Sequence, residues 1–232
     1  MISKKKALFI VNPTSGSLSK YQRENAVRQI EKTAKGVFEA EIVHTQYPKH
    51  ATQAAQQALE KGFDYVIAAG GDGTVNEVAK TLIDSPAALG ILPLGSGNGL
   101  ARHLGISMDI GKALQQLSRQ NMTPIDSCYV NQLPFFCTAG VGFDAYVAAR
   151  FGTYGRRGLQ QYAQVAMQSF LNYEPVDYVL TFEDKSMAFK AFAVTFANAS
   201  QYGNTAYVAP QEKIDDGWMD ICFLSPFPKP LA

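Results

Sequence analysis

Apolar and polar positions follow two alternating patterns in the first half of the chain. Short apolar runs are each followed by a stretch in which apolar residues recur every three or four positions. The first pattern is typical of strands buried on both faces, and the second is typical of amphipathic helices. Strands are expected at residues 7–11, 40–45, 65–69 and 88–92, and helices from about residue 19 and at residues 50–61 and 75–83. This order predicts an α/β fold in which helices cover both faces of a parallel sheet.

The second half of the chain has a different pattern, with more strand-like alternation. A helix is expected at residues 110–118 and another at 159–171, whereas strands are expected at residues 123–131, 133–138, 176–182, 187–198 and 218–224. The first two of these strands are predicted to form a hairpin that turns at Asn131-Gln132. We therefore expect two domains, an α/β domain at residues 1–123 and a β-rich domain at residues 124–232.

Bulk composition narrows the class of protein. The 232 residues carry a net charge of +1, which gives no indication of nucleic-acid binding. Three cysteines without a CxxC pair are typical of a reducing compartment. No apolar run approaches the ~20 residues that a membrane span needs. We expect a cytoplasmic protein, at most peripheral to the inner face of the membrane.

The third predicted strand ends in a glycine-rich stretch, residues 70–74, that carries one acidic side chain. Its three glycines free the backbone to approach a ligand closely. A helix N-terminus follows, and such a terminus offers N–H groups and partial positive charge to a phosphate. A carboxylate beside a phosphate is unfavourable unless a cation lies between them, so Asp72 indicates Mg²⁺ binding or proton handling. A tight turn in which Asp72 caps the helix is the alternative.

Two helix starts have the spacing of a capping box. Ser19 and Gln22 have this spacing before the first predicted helix, and Thr74 and Glu77 have it before the third. The spacing predicts that the third helix begins at about Val75.

Two other loops follow predicted strands, at residues 12–17 and 93–99. Ser96 and Asn98 offer small polar contacts, and Asn98 could cap the next helix. Each loop alone is weak evidence, since loops of this composition are common. Because parallel strands end at a shared edge, all three loops are expected to converge on one polyphosphate.

Several other site patterns are absent or ambiguous. The pattern GxxxxGK[ST] does not occur, and neither Gly71-Asp72-Gly73 nor Gly95-Ser96-Gly97 continues as GxGxxG. The three histidines, which lack zinc spacing, are interpreted as surface or capping residues: His44, His50 and His103. The cluster of Arg150, Arg156 and Arg157 is interpreted either as a solvated loop or as a contact with an anionic membrane or substrate.

The ordered set of motifs resembles the diacylglycerol kinase catalytic-domain family of lipid kinases, which includes bacterial lipid kinases and sphingosine kinases. The resemblance covers nearly the whole chain, and its motifs lie at residues 11–16, 70–77, 92–98, 140–145, 208–210 and 216–220. The stretch Gly-Gly-Asp-Gly-Thr alone is shared with NAD kinases and, in variant form, with phosphofructokinases. The whole set is therefore much more specific than any one loop.

The resemblance implies an NAD-kinase-like, three-layer α/β N-terminal domain and a β-sandwich domain, with the active site in the cleft between them. It implies that ATP contacts Asn12, Pro13, Thr14, Ser15, Gly16, Thr45, Gly70, Gly71, Asp72, Gly73, Thr74, Val75, Asn76 and Ser96. It also implies a Mg²⁺ site at Lys213, Asp216 and Trp218, formed by one carboxylate and two backbone carbonyls. A plain hairpin turn at residues 215–217 is compatible with this site.

The implied activity is phosphoryl transfer from ATP to a lipid alcohol, with Asp72 as the catalytic carboxylate. The family also carries an Asp-Gly-Glu segment whose acidic residue resembles a general base, and this segment does not occur here. We therefore expect a truncated chain that lacks the base and has an incomplete β domain. An NAD kinase-like enzyme and a non-catalytic nucleotide- or lipid-binding module are the alternatives. Peripheral membrane contact is expected, and a homodimer is left open.

Overall fold

The first half of the chain forms a four-stranded parallel sheet. The computed structural model describes residues 4–16, 20–153 and 159–228. The elements of this half are β1 (Lys6–Val11), α1 (Lys20–Val37), β2 (Glu39–His44), α2 (His50–Glu60), β3 (Tyr65–Gly70), α3 (Asp72–Leu82), β4 (Ala88–Pro93), α4 (Gly99–His103) and α5 (Ile110–Ser118). The strand order is β2-β1-β3-β4, and every neighbouring pair is parallel. The predicted α/β architecture is confirmed.

Successive side chains of the central strands enter two separate cores, one on each face of the sheet. Phe9 packs in the core that contains Ile30 of α1, whereas Ile10 packs in the core that contains Val78 of α3. All six residues of β3 are buried. Because both faces are covered, β3 and the part of β1 that follows Lys6 are buried at every position instead of alternating.

The second half forms antiparallel strands and two helices. Its elements are β5 (Cys128–Val130), β6 (Leu133–Phe135), β7 (Thr138–Gly142), α6 (Phe143–Thr153), α7 (Leu159–Asn172), β8 (Val176–Phe182), β9 (Lys185–Ala191), β10 (Ala193–Ala197) and β11 (Asp220–Leu224). One sheet has the order β11-β10-β7, and β5-β6 and β8-β9 are hairpins. The predicted turn at Asn131 and Gln132 is confirmed, with φ angles of 47° and 66°.

In the second half, one local prediction is wrong and two elements were not predicted. The strand expected at residues 187–198 is two strands, β9 and β10, with the buried Phe192 between them. The motif at residues 140–145 is the junction of β7 and α6, both of which the sequence patterns missed. The cause is the small side chains of β7: a Cβ atom on Gly140 would lie 2.9 Å from the carbonyl oxygen of Val194 on the paired strand.

The start of α3 also differs from the prediction. Gly71 is the N-cap residue, and the amide of Val75 already donates to the carbonyl oxygen of Gly71 at 3.1 Å. Thr74 is therefore inside the helix, and the predicted capping box with Glu77 is wrong. The buried Thr74 hydroxyl instead accepts a hydrogen bond from the Asn12 side chain, so a contact between two loops replaces the local cap.

The two halves meet at the helix that follows β4. Phe136 and Ile214 from the second half belong to the same buried core as Leu100 and Ala101 of α4. The predicted boundary near residue 123 lies in the stretch between α5 and β5 and stays a prediction. Ser19 of the first predicted capping box and Arg156 and Arg157 of the arginine cluster lie outside the described residues. Across the ranges that the structure describes, no helix is long and apolar enough to cross a membrane.

Candidate active site

The strands of the parallel sheet end at a common edge, where the candidate loops meet. In the sheet register, Val11 pairs with His44 on one side and with Ala69 on the other, and Gly70 pairs with Pro93. This register brings the loops that follow β1, β3 and β4 together, as the sequence predicted. Thr45 follows β2 at the same edge, and its amide donates to the carbonyl oxygen of Val11 at 2.9 Å.

The loop after β1 is held by its own polar side chains. The Asn12 side-chain oxygen accepts hydrogen bonds from the amide and the hydroxyl of Thr14, at 3.0 and 2.9 Å. The Asn12 side-chain nitrogen donates to the Thr74 hydroxyl at 3.0 Å. The buried Ser15 hydroxyl accepts from the amide of Gly71 at 3.2 Å. Asn12 and Ser15 therefore tie the first loop to the start of α3.

The glycines let the backbones of the three loops approach each other. A Cβ atom on Gly95 would lie 2.5 Å from the Cα atom of Gly71, a separation that real Cβ atoms do not show. Gly16 has a φ angle of 67°, and a Cβ atom there would lie 2.3 Å from the carbonyl oxygen of Leu94. Only glycine fits at these two positions without moving a neighbouring loop.

Asp72 lies where the loops after β3 and β4 meet. Its two carboxylate oxygens accept hydrogen bonds from the amides of Asn98 and Gly99, each at 2.8 Å. Asp72 is thus the first residue of α3 and also the acceptor for the amides at the start of α4. A carboxylate has about four acceptor sites, and the residue is exposed. It therefore keeps acceptor capacity for water or a cation.

Asn98 shapes the loop after β4 instead of capping α4 with its side chain. Asn98 is the N-cap residue in the left-handed conformation, with φ 54°, but its side chain makes no cap hydrogen bond. The side chain accepts from the amide of Gly95 and donates to the carbonyl of the same residue, at 3.1 and 2.8 Å. The predicted side-chain cap is therefore wrong, and the buried amide group closes the glycine loop on itself.

Some of the residues expected to contact ATP are exposed to solvent, whereas others are buried. The exposed ones at this edge are Pro13, Thr14, Asp72, Gly73, Asn76 and Ser96. Ser15 and Thr74 are buried and already hydrogen-bonded to neighbouring loops. The side chain of Val75 packs in the core, so only its backbone is available at the edge. All of these residues lie at the same edge of the sheet. Some are exposed to a ligand, and others hold the loops in place.

A segment of the second half contacts the loop after β4 directly. Asn98 and Gly203 form an antiparallel β-bridge, and the amide of Asn204 donates to the carbonyl oxygen of Gly97 at 3.2 Å. The Arg102 side chain donates to the same carbonyl at 3.0 Å. The candidate site is therefore bordered by both halves of the chain.

Two residues at this border were not recognised as site neighbours from the sequence. The Cys137 thiol donates to the carbonyl oxygen of Gln201 at 3.3 Å. Burial, with a smaller contribution from the Asp72 carboxylate, raises the pKa of the Cys137 thiol to about 12. His103, expected at the surface or as a cap, is half-buried, and its Nδ1 accepts from the amide of Ser200 at 3.0 Å. No local sequence pattern indicates either contact.

Protonation of His103 is expected to weaken the junction between the two halves. Burial lowers the pKa of His103 below its usual value of 6.5, and the Asp215 carboxylate opposes this shift in part. Because the folded state binds this proton less readily than the unfolded state, stability should fall as the pH drops below about 6.5. Melting temperatures measured from pH 8 to pH 5 should show the loss.

The matched variants are His103→Gln and His44→Gln, which replace a junction histidine and an exposed strand histidine. His103→Gln should flatten the pH dependence of the melting temperature, whereas His44→Gln should leave it unchanged. A pH dependence that is the same in all three proteins would assign the titration to other groups.

The expected metal-binding residues lie in one turn of the second half. The Asp216 carboxylate accepts from the amide of Trp218 at 3.1 Å, and the amide of Gly217 donates to the Asp126 carboxylate at 2.8 Å. The pKa of the nearby Glu212 is raised, mainly because the side chain is partly buried. The carboxylates of Asp216 and Asp220 add to this rise.

The donors that the resemblance implies at this turn, one carboxylate and backbone carbonyls, have the oxygen chemistry that a hard cation such as Mg²⁺ prefers. The carboxylates of Asp216 and Asp220 are close enough to that of Glu212 to act on it electrostatically. The described part of the chain brings no three acidic, histidine or cysteine side chains together as a metal cluster. A cation here would therefore use the Asp216 carboxylate with backbone carbonyls, as those of Lys213 and Trp218 could provide.

Two protein-family models match consecutive parts of the chain. The model described as the diacylglycerol kinase catalytic domain matches residues 6–130. The model described as the YegS C-terminal NAD kinase beta sandwich-like domain matches residues 137–231.

Individual relatives and solved structures agree with the family models. A diacylglycerol kinase of Bacillus subtilis is 32% identical over 231 residues, which cover 95% of this chain and 74% of that protein. An uncharacterized protein of Synechocystis is 31% identical over 180 residues, which cover 76% of this chain but only 42% of that protein. A crystal structure of a diacylglycerol kinase from Bacillus anthracis superposes with a TM-score of 0.77 at 26% identity. It covers 97% of this chain, which spans 75% of that structure.

Proposed function

Because the chain belongs to the diacylglycerol kinase catalytic-domain family of lipid kinases, we propose that it transfers the γ-phosphoryl group of ATP to the hydroxyl group of a lipid alcohol. One observation carries the proposal: three strand-end loops converge at one sheet edge, where Asp72 joins the loops after β3 and β4. Asn12 and Ser15 tie the loop after β1 to the same place. Phosphoryl transfer needs mainly positioning and charge stabilisation, which such an edge can supply.

ATP would bind with its phosphates along the three loops. The backbone of residues 70–76 would provide N–H groups at the start of α3, where the helix dipole favours negative charge. Residues 12–16, Thr45 and Ser96 would provide further contacts from the neighbouring strand ends. Ser15 and Thr74 would act indirectly, because their hydroxyls already hold the loops together.

Mg²⁺ would have two roles in this proposal. Near the phosphates it would neutralise charge during transfer, and Asp72 would bind it directly or through water. In the second half, the Asp216 carboxylate and the carbonyls of Lys213 and Trp218 would hold a second ion that relieves the crowding of carboxylates. The oxygen donors at both places suit Mg²⁺.

The acceptor would be a lipid that resides in a membrane, so the protein would contact the membrane peripherally, at the inner face in a cytoplasmic setting. Exposed apolar side chains in the second half support such a contact, among them Val179, Phe182 and Trp218 at 70%, 66% and 76% exposure. A sedimentation assay with vesicles tests the contact. Light scattering tests whether the protein is a homodimer.

Replacing Gly73 with alanine should separate nucleotide binding from stability. Gly73 lies in the first turn of α3, and a Cβ atom there would meet no other atom within 4 Å. Alanine should therefore stabilise the helix by up to about 1 kcal/mol. If phosphates approach this backbone, the added methyl group should weaken ATP binding by about tenfold, measured by calorimetry.

Gly36→Ala is the matched control, because Gly36 is also helical and also has open space around it. It should stabilise the protein to a similar extent without changing ATP affinity. Unchanged ATP affinity in Gly73→Ala would place the phosphates away from the start of α3.

The activity itself is tested with radiolabelled ATP and a panel of acceptors. Dioleoylglycerol, sphingosine and related lipid alcohols test the proposed activity, and NAD tests the NAD kinase alternative. Labelled phospholipid is the expected product. Formation of NADP would favour an NAD kinase, and ATP binding without any turnover would favour a non-catalytic binding module.

A further inference from the structure

A carboxylate and two hydroxyl groups form a compact cluster beside the candidate active site. The hydroxyl of Tyr202 donates to Asp144 Oδ2 at 2.6 Å, and the hydroxyl of Thr195 lies 3.3 Å from the same oxygen. The two hydroxyl oxygens are 2.5 Å apart. We call these three residues the carboxylate–hydroxyl cluster. Thr195 belongs to β10, and Asp144 is in the first turn of α6.

The cluster keeps one acceptor atom unused. Asp144 Oδ1 accepts no hydrogen bond from the described residues, and no described cationic side chain forms an ion pair with this carboxylate. Burial and the hydrogen bond to Asp144 raise the pKa of Tyr202, so this phenol remains a donor. The half-buried carboxylate is thus oriented by two hydroxyls and still able to accept.

Packing fixes the position of the cluster. The ring of Phe143, which precedes Asp144, lies 4.7 Å from the ring of Phe192 and 5.5 Å from that of Tyr173, measured between centroids. Both partner residues are buried. The start of α6 is therefore anchored in an aromatic core, which limits movement of the carboxylate.

The same tyrosine connects the cluster with the loop after β4. The carbonyl oxygen of Tyr202 lies 2.9 Å from the position of a Cβ atom on Gly99, and the amide of Gly99 donates to Asp72. The backbone of Tyr202 therefore lies against this loop, and its side chain reaches the Asp144 carboxylate. Tyr202 is 40% exposed, so the cluster opens at the border of the two halves instead of being enclosed.

We propose that Asp144 binds the acceptor lipid by accepting a hydrogen bond from a free hydroxyl of its head group at Oδ1, with Tyr202 and Thr195 orienting the carboxylate. This inference rests on the proposed function and adds a substrate-binding residue to it. A carboxylate attracts a neutral alcohol as a hydrogen-bond donor but repels a phosphate monoester. The cluster would therefore favour the substrate over the phosphorylated product.

The competing interpretation is that Asp144 only anchors Tyr202 and, through it, the loop after β4. That role would affect ATP and lipid alike, because this loop belongs to the nucleotide side of the site. The two interpretations therefore differ in the Michaelis constants of the two substrates.

Asp144→Asn keeps the size of the side chain and removes its charge. With dioctanoylglycerol in mixed micelles, the variant should raise the KM for the lipid about tenfold or more and change the KM for ATP less than twofold. Tyr202→Phe, which removes one orienting hydroxyl, should give a smaller rise of the same kind. The exposed strand residue Asp177 provides the matched control, and Asp177→Asn should change neither constant.

A lipid KM within twofold of the wild-type value, or equal rises for lipid and ATP, would overturn the assignment of Asp144. Melting temperatures of all variants identify those that lose stability. If Asp144→Asn does not fold, Tyr202→Phe decides by the same comparison of the two constants.

Equilibrium binding keeps this inference separate from the proposed function. If the wild-type protein phosphorylates no lipid, the proposed function fails, whereas binding of radiolabelled dioctanoylglycerol in the presence of ADP still tests Asp144. About tenfold weaker binding by Asp144→Asn would support the inference. Equal binding by both proteins, or no binding by the wild type, would overturn it.

Discussion

Replacing Asp72 with asparagine is expected to lower the turnover number by on the order of 100-fold or more while weakening ATP binding by less than about tenfold. Both carboxylate oxygens accept backbone amides, from Asn98 and Gly99, at 2.8 Å. Asparagine has a single acceptor oxygen, so its NH₂ group would face one of these N–H donors. The variant would also remove the negative charge that attracts a cation or orients a water molecule. The N–H groups that bind phosphates would remain, which is why binding should suffer less than turnover.

Asp84→Asn is the matched control for this substitution. Asp84 is exposed in the same half of the chain and has a φ angle of 55°, a conformation that asparagine adopts as readily as aspartate. The control should leave the turnover number and ATP affinity unchanged. Steady-state kinetics and calorimetry provide the two numbers. Equal losses of turnover and binding in Asp72→Asn would make Asp72 a structural tie between the loops and nothing more.

Replacing Gly95 with alanine is expected to separate two of the three loops and to weaken ATP binding by on the order of 100-fold. The added Cβ atom would lie 2.5 Å from the Gly71 Cα atom and 2.7 Å from the Asn98 side-chain oxygen. The first of these neighbours is backbone, so relief requires movement of a whole loop. Overpacking of this kind costs about 1–3 kcal/mol, and the melting temperature should fall by several degrees.

Gly36→Ala again serves as the control, because it adds the same methyl group where nothing lies within 4 Å. ATP affinity from calorimetry and the melting temperature are compared for the two variants. If Gly95→Ala binds ATP like the wild type, the close approach of Gly95 to Gly71 is unnecessary for the nucleotide site.

The parallel sheet could be predicted because its evidence is local. Three of the four strands in the first half, β1, β3 and β4, are mainly apolar runs, and the helices have an apolar face with a period near 3.6, so neighbouring residues alone indicate both kinds of element. The same evidence was misleading where packing overrides periodicity. Strand β7 has no apolar alternation, because its close pairing with β10 leaves no room for a side chain at Gly140 or Gly142.

The convergence of the three loops was also predictable, since parallel strands end at one edge. The partners of the individual side chains were not. The spacing of Thr74 and Glu77 predicts a cap for α3, yet the Thr74 hydroxyl accepts a hydrogen bond from Asn12, 62 positions away in the chain. Asn98 is a residue type that often caps helices, yet its side chain forms hydrogen bonds with the backbone of Gly95.

The sequence by itself determined the layered α/β half, the edge at which its loops meet and, through its motifs, the family of lipid kinases. Only the tertiary structure decided that Asp72 joins two loops, that His103 bonds the second half and that Asp144 lies beside Tyr202. The physical reason is distance along the chain. Periodicity and turn chemistry act between residues a few positions apart, whereas these hydrogen bonds join residues 26, 97 and 58 positions apart. Such pairs form only when the packing of both cores has placed their elements side by side.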